Sequence, residues 1–266
     1  MSLGTRLGLG VSYVILGVAA IYLLLPIVIV LLVSFSPSFV FDLPSSEFSL
    51  RWYRKVWGLE PFWEAFFNSL GLAIASSAIA MVLGVLAAVG LVFGRFPGRE
   101  AIAVFLVSPL MLPGLVFGVA VLHSLRAIGV YGAFTSLLIA HIVITMPFVA
   151  RSALASLTLF DFTLIDAARM LGYSLPRAIL KVLVPNIAPG VLAGALFAFV
   201  ASFDNYATSI FLTDARVKTL PIQMLNFLDE APDPSLAAMS AVMIVMTLVV
   251  LFLCDRIVGV RRLANM

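Results

Sequence analysis

The segment Asp166-Ala167-Ala168-Arg169-Met170-Leu171-Gly172, followed thirteen residues on by Pro185 in Val182-Leu183-Val184-Pro185, is a basic island between two strongly apolar stretches, residues 132 to 150 and 187 to 212. Runs of that length can span hydrocarbon, so both neighbours belong in a bilayer and the island outside it. Its local chemistry predicts a compact helix-turn-helix. Thr163 lies three residues before Asp166, so the pair can close a capping box, with the carboxylate at the positive end of the helix dipole. Gly172 can adopt the left-handed conformation that ends this helix. Ser174 can cap a second helix with Pro176 in its first turn, and Pro185 is expected to stop it.

Composition sets the class independently. Hydrophobic residues make up 63% of the 266 and charged residues 11%, against roughly 25% charged in an ordinary soluble domain. The mean hydropathy is +1.17. Apolar stretches near residues 12 to 36, 66 to 93, 101 to 125, 132 to 150, 187 to 212 and 236 to 257 each approach or exceed the roughly 20 residues a spanning helix needs. They lack the polar alternation of barrel strands, and only helices or closed barrels satisfy backbone groups in lipid. The expected fold is therefore an all-α polytopic membrane protein with six transmembrane helices in a single domain, residues 1 to 266.

Orientation follows from the cations. Arg6, Arg95, Arg99, Arg151, Arg169, Arg177, Lys181, Arg256, Arg261 and Arg262 flank one side of these spans, while Arg51, Arg54, Lys55, Arg126, Arg216 and Lys218 flank the other. Ten against six makes the first side cytoplasmic. Both termini and the island around Asp166 then lie inside, an N-in/C-in arrangement, and most acids, among them Asp42, Asp214 and Asp233, lie outside. The basic balance reflects this inward bias and implies no nucleic-acid partner. The first apolar stretch is too long for a secretory signal and no small-residue cleavage site follows it, so it is expected to remain as a helix. Cys254 is the only cysteine, so no disulfide or cysteine-based metal site forms within one chain.

The outer segment 37 to 65 combines Pro37, Pro44 and Pro61 with Trp52, Tyr53, Trp57, Phe62 and Trp63, a composition suited to the membrane interface. The fifth span is the most informative inside the bilayer. At 3.6 residues per turn Ser202, Asp204, Asn205, Thr208 and Ser209 share one side, and Phe199, Phe203 and Tyr206 the other. An ionised carboxylate at mid-bilayer costs about 2.5 to 3.5 kcal/mol on insertion scales. Asp204 is thus expected to line a wet substrate pathway with Asn205 and Thr208 nearby, or else to bridge helices. His141, in the fourth span, reads either as a solute contact or as a packed, hydrogen-bonded histidine. Gly114-x-x-x-Gly118 and Gly190-x-x-x-Gly194 permit close helix approach, and Pro109, Pro113 and Pro147 invite kinks.

The spacing from Asp166 to Pro185 resembles the EAA loop of bacterial ABC-importer permeases: Glu-Ala-Ala, three residues, Gly, nine residues, Ile-x-Leu-Pro. Here Asp166 replaces the Glu, and Val182 and Val184 replace Ile and Leu; Ala167, Ala168, Gly172 and Pro185 keep type and spacing. From residue 12 to about 258 the chain is similar to the spermidine/putrescine-type branch of these permeases. The similarity is carried by Phe48 to Tyr53, Asn68-Ser69, Ser108-Pro109, His141 to Phe148, Ser202 to Asn205 and Leu220-Pro221.

The resemblance implies a type I ABC-importer permease (MetI-like) fold in the bacterial inner membrane. Residues 158 to 186 would form the ATPase-coupling loop, with Asp166, Ala167, Ala168, Gly172 and Pro185 at its centre. It further implies two ATP-binding subunits that hold ATP and Mg, a second homologous permease and an extracytoplasmic solute-binding protein. A polyamine is the leading cargo, since Asp204 matches an acidic position of that branch and a carboxylate suits an amine cation. Other small solutes, such as an amino-acid derivative, an opine or a phosphonate, would use the same machinery.

The chain contains no Gly-x-x-x-x-Gly-Lys-Ser/Thr, His-Glu-x-x-His or Gly-x-Ser-x-Gly, and hence no recognised phosphate cradle, metal set or catalytic constellation. Two other classes remain. A proton-coupled secondary transporter using Asp204 and His141 as a relay would keep working without an ATPase. A membrane enzyme would need a nucleophile or acid pair.

Overall fold

The computed structural model describes residues 3–39, 47–230 and 233–258, with side chains from Ser12 onward except at 253–255 and 257–258. Asp42, Arg261 and Arg262, together with the side chains of Arg6 and Cys254, lie outside the described residues. The elements are α1 (Leu3–Ser34), α2 (Arg51–Trp57), α3 (Glu60–Phe93), α4 (Arg99–Val107), α5 (Gly114–Ala127), α6 (Ala133–Thr158), α7 (Thr163–Met170), α8 (Leu175–Ala178), α9 (Val184–Phe203), α10 (Leu220–Glu230) and α11 (Ser235–Val258). Five helical stretches are long and apolar enough to cross a membrane. A sixth span exists if Arg99–Met111 and Gly114–Ala127, bent by 110° at their junction, count as one. The expected third span is therefore not a continuous helix. Pro109 sits in the 3-10 turn Ser108–Met111, and Pro113 precedes α5 with φ −57° and ψ 127°; neither proline can donate to a helical ladder, so the ladder ends between them.

The described chain packs as two compact units: residues up to Glu60 with Met224–Met246, and Pro61–Gln223 with the residues from Thr247 onward. In the first, the interfacial segment has a defined anchor. Trp52 is buried and its Nε1–H donates to the Ser36 carbonyl at 2.8 Å. The hydroxyls of Ser34 and Tyr53 are 2.8 Å apart, and Arg51 donates to the Pro37 carbonyl at 2.7 Å while lying over the Phe39 ring. The tryptophan is thus held by a hydrogen bond as well as by the burial of its ring.

Lys55 pairs with Asp233 at 2.5 Å in the same unit. Burial pushes the Asp233 carboxyl up, but hydrogen bonds from Lys55 and Ser235 outweigh it and hold the group below the usual carboxylate range. A depressed folded-state pKa stabilises above the unfolded value, near 3.8, and that stabilisation is lost as pH falls through the lower folded value. Lys55 is partly exposed, so the pair is worth roughly 0.2–1 kcal/mol. Thermal unfolding should show a gap between wild type and Lys55→Met at neutral pH that narrows below about pH 4; a gap independent of pH would show that the pair contributes nothing.

In the second unit α6 and α9 meet along glycines. A Cβ at Gly194 would stand 2.7 Å from the Ser152 Cβ and 3.0 Å from the Val149 Cα, and one at Gly84 on α3 would stand 2.9 Å from the Val149 Cβ. Three helices thus converge on Val149, with Ala80, Ala88, Ala153 and Ala198 buried around it. Small residues let the backbones approach, which in lipid replaces hydrophobic driving force with close packing.

The island around Asp166 departs from expectation at three points, the first being that Ser174 precedes α8 without a side-chain cap hydrogen bond. The helix begins as foreseen at Thr163, yet Thr163 and Asp166 form no capping box. Asp161 takes that role: its Oδ1 accepts the Thr163 N–H at 3.0 Å, and hydrogen bonds from the Thr163 hydroxyl and backbone hold its carboxyl below the usual range. Gly172 ends the helix with φ +91°. Pro185, however, does not stop the second helix. Residues Leu175–Phe203 run on as one 29-residue stretch, because a π turn over Ile179–Leu183 precedes the proline. The wider turn makes room for the ring, and Asn186 Nδ2 donates to the Val182 carbonyl at 2.7 Å.

Candidate functional site

The fifth span breaks where it was read as continuous. α9 ends at Phe203, residues 204–208 are non-helical, and a 3-10 turn follows at Ser209–Phe211. The chemistry is local: Asn205 turns its side chain back on the chain, its Oδ1 accepting the Thr208 N–H at 3.0 Å. Asparagine and aspartate compete with the helical ladder in this way. Asp204 is therefore not one face of a regular helix. It is the residue that closes α9, it is exposed, and no described residue hydrogen-bonds its carboxylate.

This break faces the other one. A Cβ at Gly114 would come within 2.8 Å of the Ala207 Cβ, and one at Gly118 within 2.9 Å of the Thr208 carbonyl oxygen. The Gly114-x-x-x-Gly118 pair on α5 thus admits the backbone of the broken fifth span. Between the two breaks lies a cavity of about 200 Å³, walled by Pro109, Leu112, Phe117, Ile144 and Phe148, with Asn205 and Thr208 among its lining. Asn205 and Thr208 sit together at this cavity; Asp204, next in the chain, is not among the lining residues.

His141 is elsewhere. It is fully buried on α6, its Nδ1 2.7 Å from the Ser202 hydroxyl and its Nε2 3.0 Å from the Ser209 hydroxyl. A serine thus stands on each ring nitrogen, as the hydrogen-bonded alternative has it. Ser202 also meets Ser76 of α3 at 3.0 Å, and Ser209 donates to the Asn205 carbonyl at 2.7 Å. Neither Ser76 nor Ser209 stood out in the sequence as a partner, because an isolated serine in an apolar helix has no distinctive spacing.

The residues of the expected coupling loop occupy a separate surface. Asp166, Ala167, Gly172 and Pro185 are exposed, whereas Ala168 is buried beside Ile165. Met170 and Leu171 are 90% and 80% exposed, an apolar tip where a soluble loop would carry polar groups. Sequence fragments far apart also meet: the Ser69 hydroxyl accepts the Leu220 N–H at 2.7 Å, and the Asn68 side chain donates to the Lys218 carbonyl at 3.3 Å.

Long apolar helices, two of them interrupted beside a small cavity with polar groups in its lining, define a membrane transport protein. The chain belongs to the family of binding-protein-dependent transport system inner membrane components, whose pattern matches residues 80–260. It is thus the transmembrane permease subunit of an ABC importer, located in the inner membrane. The PotC permease of the spermidine/putrescine transport system of Escherichia coli K12 is 30% identical over 228 residues, 86% of each chain. PotC of Haemophilus influenzae is 29% identical over 236 residues, covering 89% of this chain and 91% of its own. Among solved structures, a bacterial ABC transporter that imports alginate superposes with a TM-score of 0.70 at 18% identity, covering 97% and 98% of the two chains. That match shows a shared fold.

Proposed function

We propose that this permease passes a polyamine, spermidine or putrescine, inward across the membrane, driven by ATP hydrolysis in separate subunits. The similarity to PotC proteins across nearly nine-tenths of the chain carries the reading. An exposed carboxylate at Asp204, adjoining the cavity-lining Asn205 and Thr208, suits an amine cation. Two ATP-binding subunits would hold ATP and Mg, a second homologous permease would complete the pathway, and an extracytoplasmic binding protein would deliver cargo. The excess of cations flanking one side supports an orientation with both termini and the Gly172 turn inside. Asp166, Ala167, Gly172 and Pro185 would meet the ATPase there, with Met170 and Leu171 seated in it, while Ala168 would set the backbone height by packing inward.

The test is uptake of radiolabelled spermidine by vesicles holding the complete importer and its binding protein. Asp204→Asn keeps shape and removes charge. A charge-assisted contact is worth about 1.5–3 kcal/mol, so half-saturation should rise by roughly 10- to 150-fold. Unchanged uptake by that variant would remove Asp204 from the pathway. Wild-type vesicles that ignore polyamines but accumulate another solute would remove the cargo.

A further inference from the structure

We propose that His141 is a positioning residue that locks the break in the fifth span through a hydrogen-bond chain of one fixed sense. Each hydroxyl has a single proton, and the geometry decides where each one goes. Ser209 spends its proton on the Asn205 carbonyl, which can only accept. His141 Nε2 must therefore donate to the Ser209 oxygen. In a neutral imidazole Nδ1 is then a lone pair, so Ser202 donates to it, and the Ser202 oxygen is left to accept from Ser76, whose competing acceptor, the Ala73 carbonyl, is farther away at 3.4 Å against 3.0 Å. The order Ser76 to Ser202 to His141 to Ser209 to Asn205 joins α3, α6 and α9 to the non-helical residues beyond Phe203. No acid is among its members.

The chain ends on Asn205, one of the residues that line the cavity. Asn205 receives the Ser209 proton on its carbonyl while its side chain accepts the Thr208 N–H, and Asn205 and Thr208 both line the cavity. His141 touches no solute, and its effect on transport passes entirely through Ser209. Thr145 Oγ1 donates to the His141 carbonyl at 2.6 Å, fixing the turn of α6 from which the ring projects. That Asn205 and Thr208 meet the solute rests on the transport reading above; the locking of the break does not.

The two ring nitrogens can be separated by substitution. Nδ1 is as far from Cβ in bonds as the side-chain oxygen of asparagine, and Nε2 as far as the amide nitrogen of glutamine. His141→Asn can keep the Ser202 contact and loses Ser209; His141→Gln can keep the donation to Ser209 and loses Ser202. Amide exchange over residues 204–209 in the complete importer should accelerate about tenfold in His141→Asn, the effect of losing one buried hydrogen bond, and stay within about twofold in His141→Gln. Ser209→Ala should behave like the former and Ser202→Ala like the latter, which keeps the test open should a histidine variant fail to fold. Equal exchange in both members of each pair would overturn the proposal.

The tautomer gives an independent readout. The chain has only His123 and His141, so 15N-histidine spectra with His123→Gln as the assignment variant should show His141 protonated at Nε2 alone. Protonation at Nδ1 would reverse the chain and overturn the proposal. If exchange and tautomer follow expectation while spermidine uptake is unaffected in His141→Asn, the lock stands and the assignment of Asn205 and Thr208 to the pathway falls.

Discussion

Replacing Gly172 with arginine should leave a chain that inserts and folds but no longer couples ATP hydrolysis to uptake. Gly172 has φ +91°, and nothing lies within 4 Å of the position a Cβ would take. The penalty to the chain itself is thus the left-handed conformation alone, about 1–2 kcal/mol, with no clash added. The open space is what the coupling reading assigns to the ATPase. Gly172→Ala supplies the control, since it bears the same backbone strain with almost no bulk. Spermidine uptake should fall between about 5- and 150-fold in the arginine variant, the range of a coupling free energy of roughly 1–3 kcal/mol, and far less in the alanine variant. Equal losses would trace the effect to backbone strain; full uptake by Gly172→Arg would remove this turn from the coupling surface.

The second large effect is on stability. Gly194→Val should destabilise the protein by about 3 kcal/mol, the upper part of the range for overpacking. The added Cβ would meet the Val149 Cα at 3.0 Å and the Phe148 carbonyl oxygen at 3.1 Å, backbone atoms of α6 that cannot rotate away. Gly190 is the informative contrast. Its Cβ would sit only 1.9 Å from Ser156 Oγ, nominally the worse clash, yet that atom is the end of a rotatable side chain. Thermal unfolding in detergent should therefore place Gly190→Ala well above Gly194→Val. The reverse order would mean that α6 and α9 separate more readily than their backbone contacts suggest.

Helical spans were legible because apolar length in lipid leaves few choices, and the Gly172 turn because only glycine tolerates its backbone angles. The break at Asp204 was not. A run of Ser, Asp, Asn and Thr at helical spacing reads as one polar face, and periodicity cannot distinguish a wet helix face from a turn. The signal present was Asn205 three residues before Thr208, an arrangement that lets an asparagine side chain capture a backbone N–H. Pro185 misled in the opposite direction, since a proline, lacking an N–H and crowding the preceding turn, normally ends a helix. Only the π turn at Ile179–Leu183, which leaves no mark in the sequence, let it continue. The serines flanking His141 were illegible for a different reason: their meaning lies in sequence separations of 61 and 68 residues.

The uninterrupted stretch from Leu175 to Phe203 has a mechanical corollary. At helical rise its 29 residues make a shaft about 43 Å long. One extremity adjoins the exposed Met170 and Leu171 and the other abuts Asn205, so a tilt of about 5° about either end displaces the opposite end by about 4 Å. The shaft lacks ladder hydrogen bonds at Pro185, behind its widened turn, and again at Pro189 inside α9, so a torque arriving from the apolar tip would meet the turn ahead of Pro185 first.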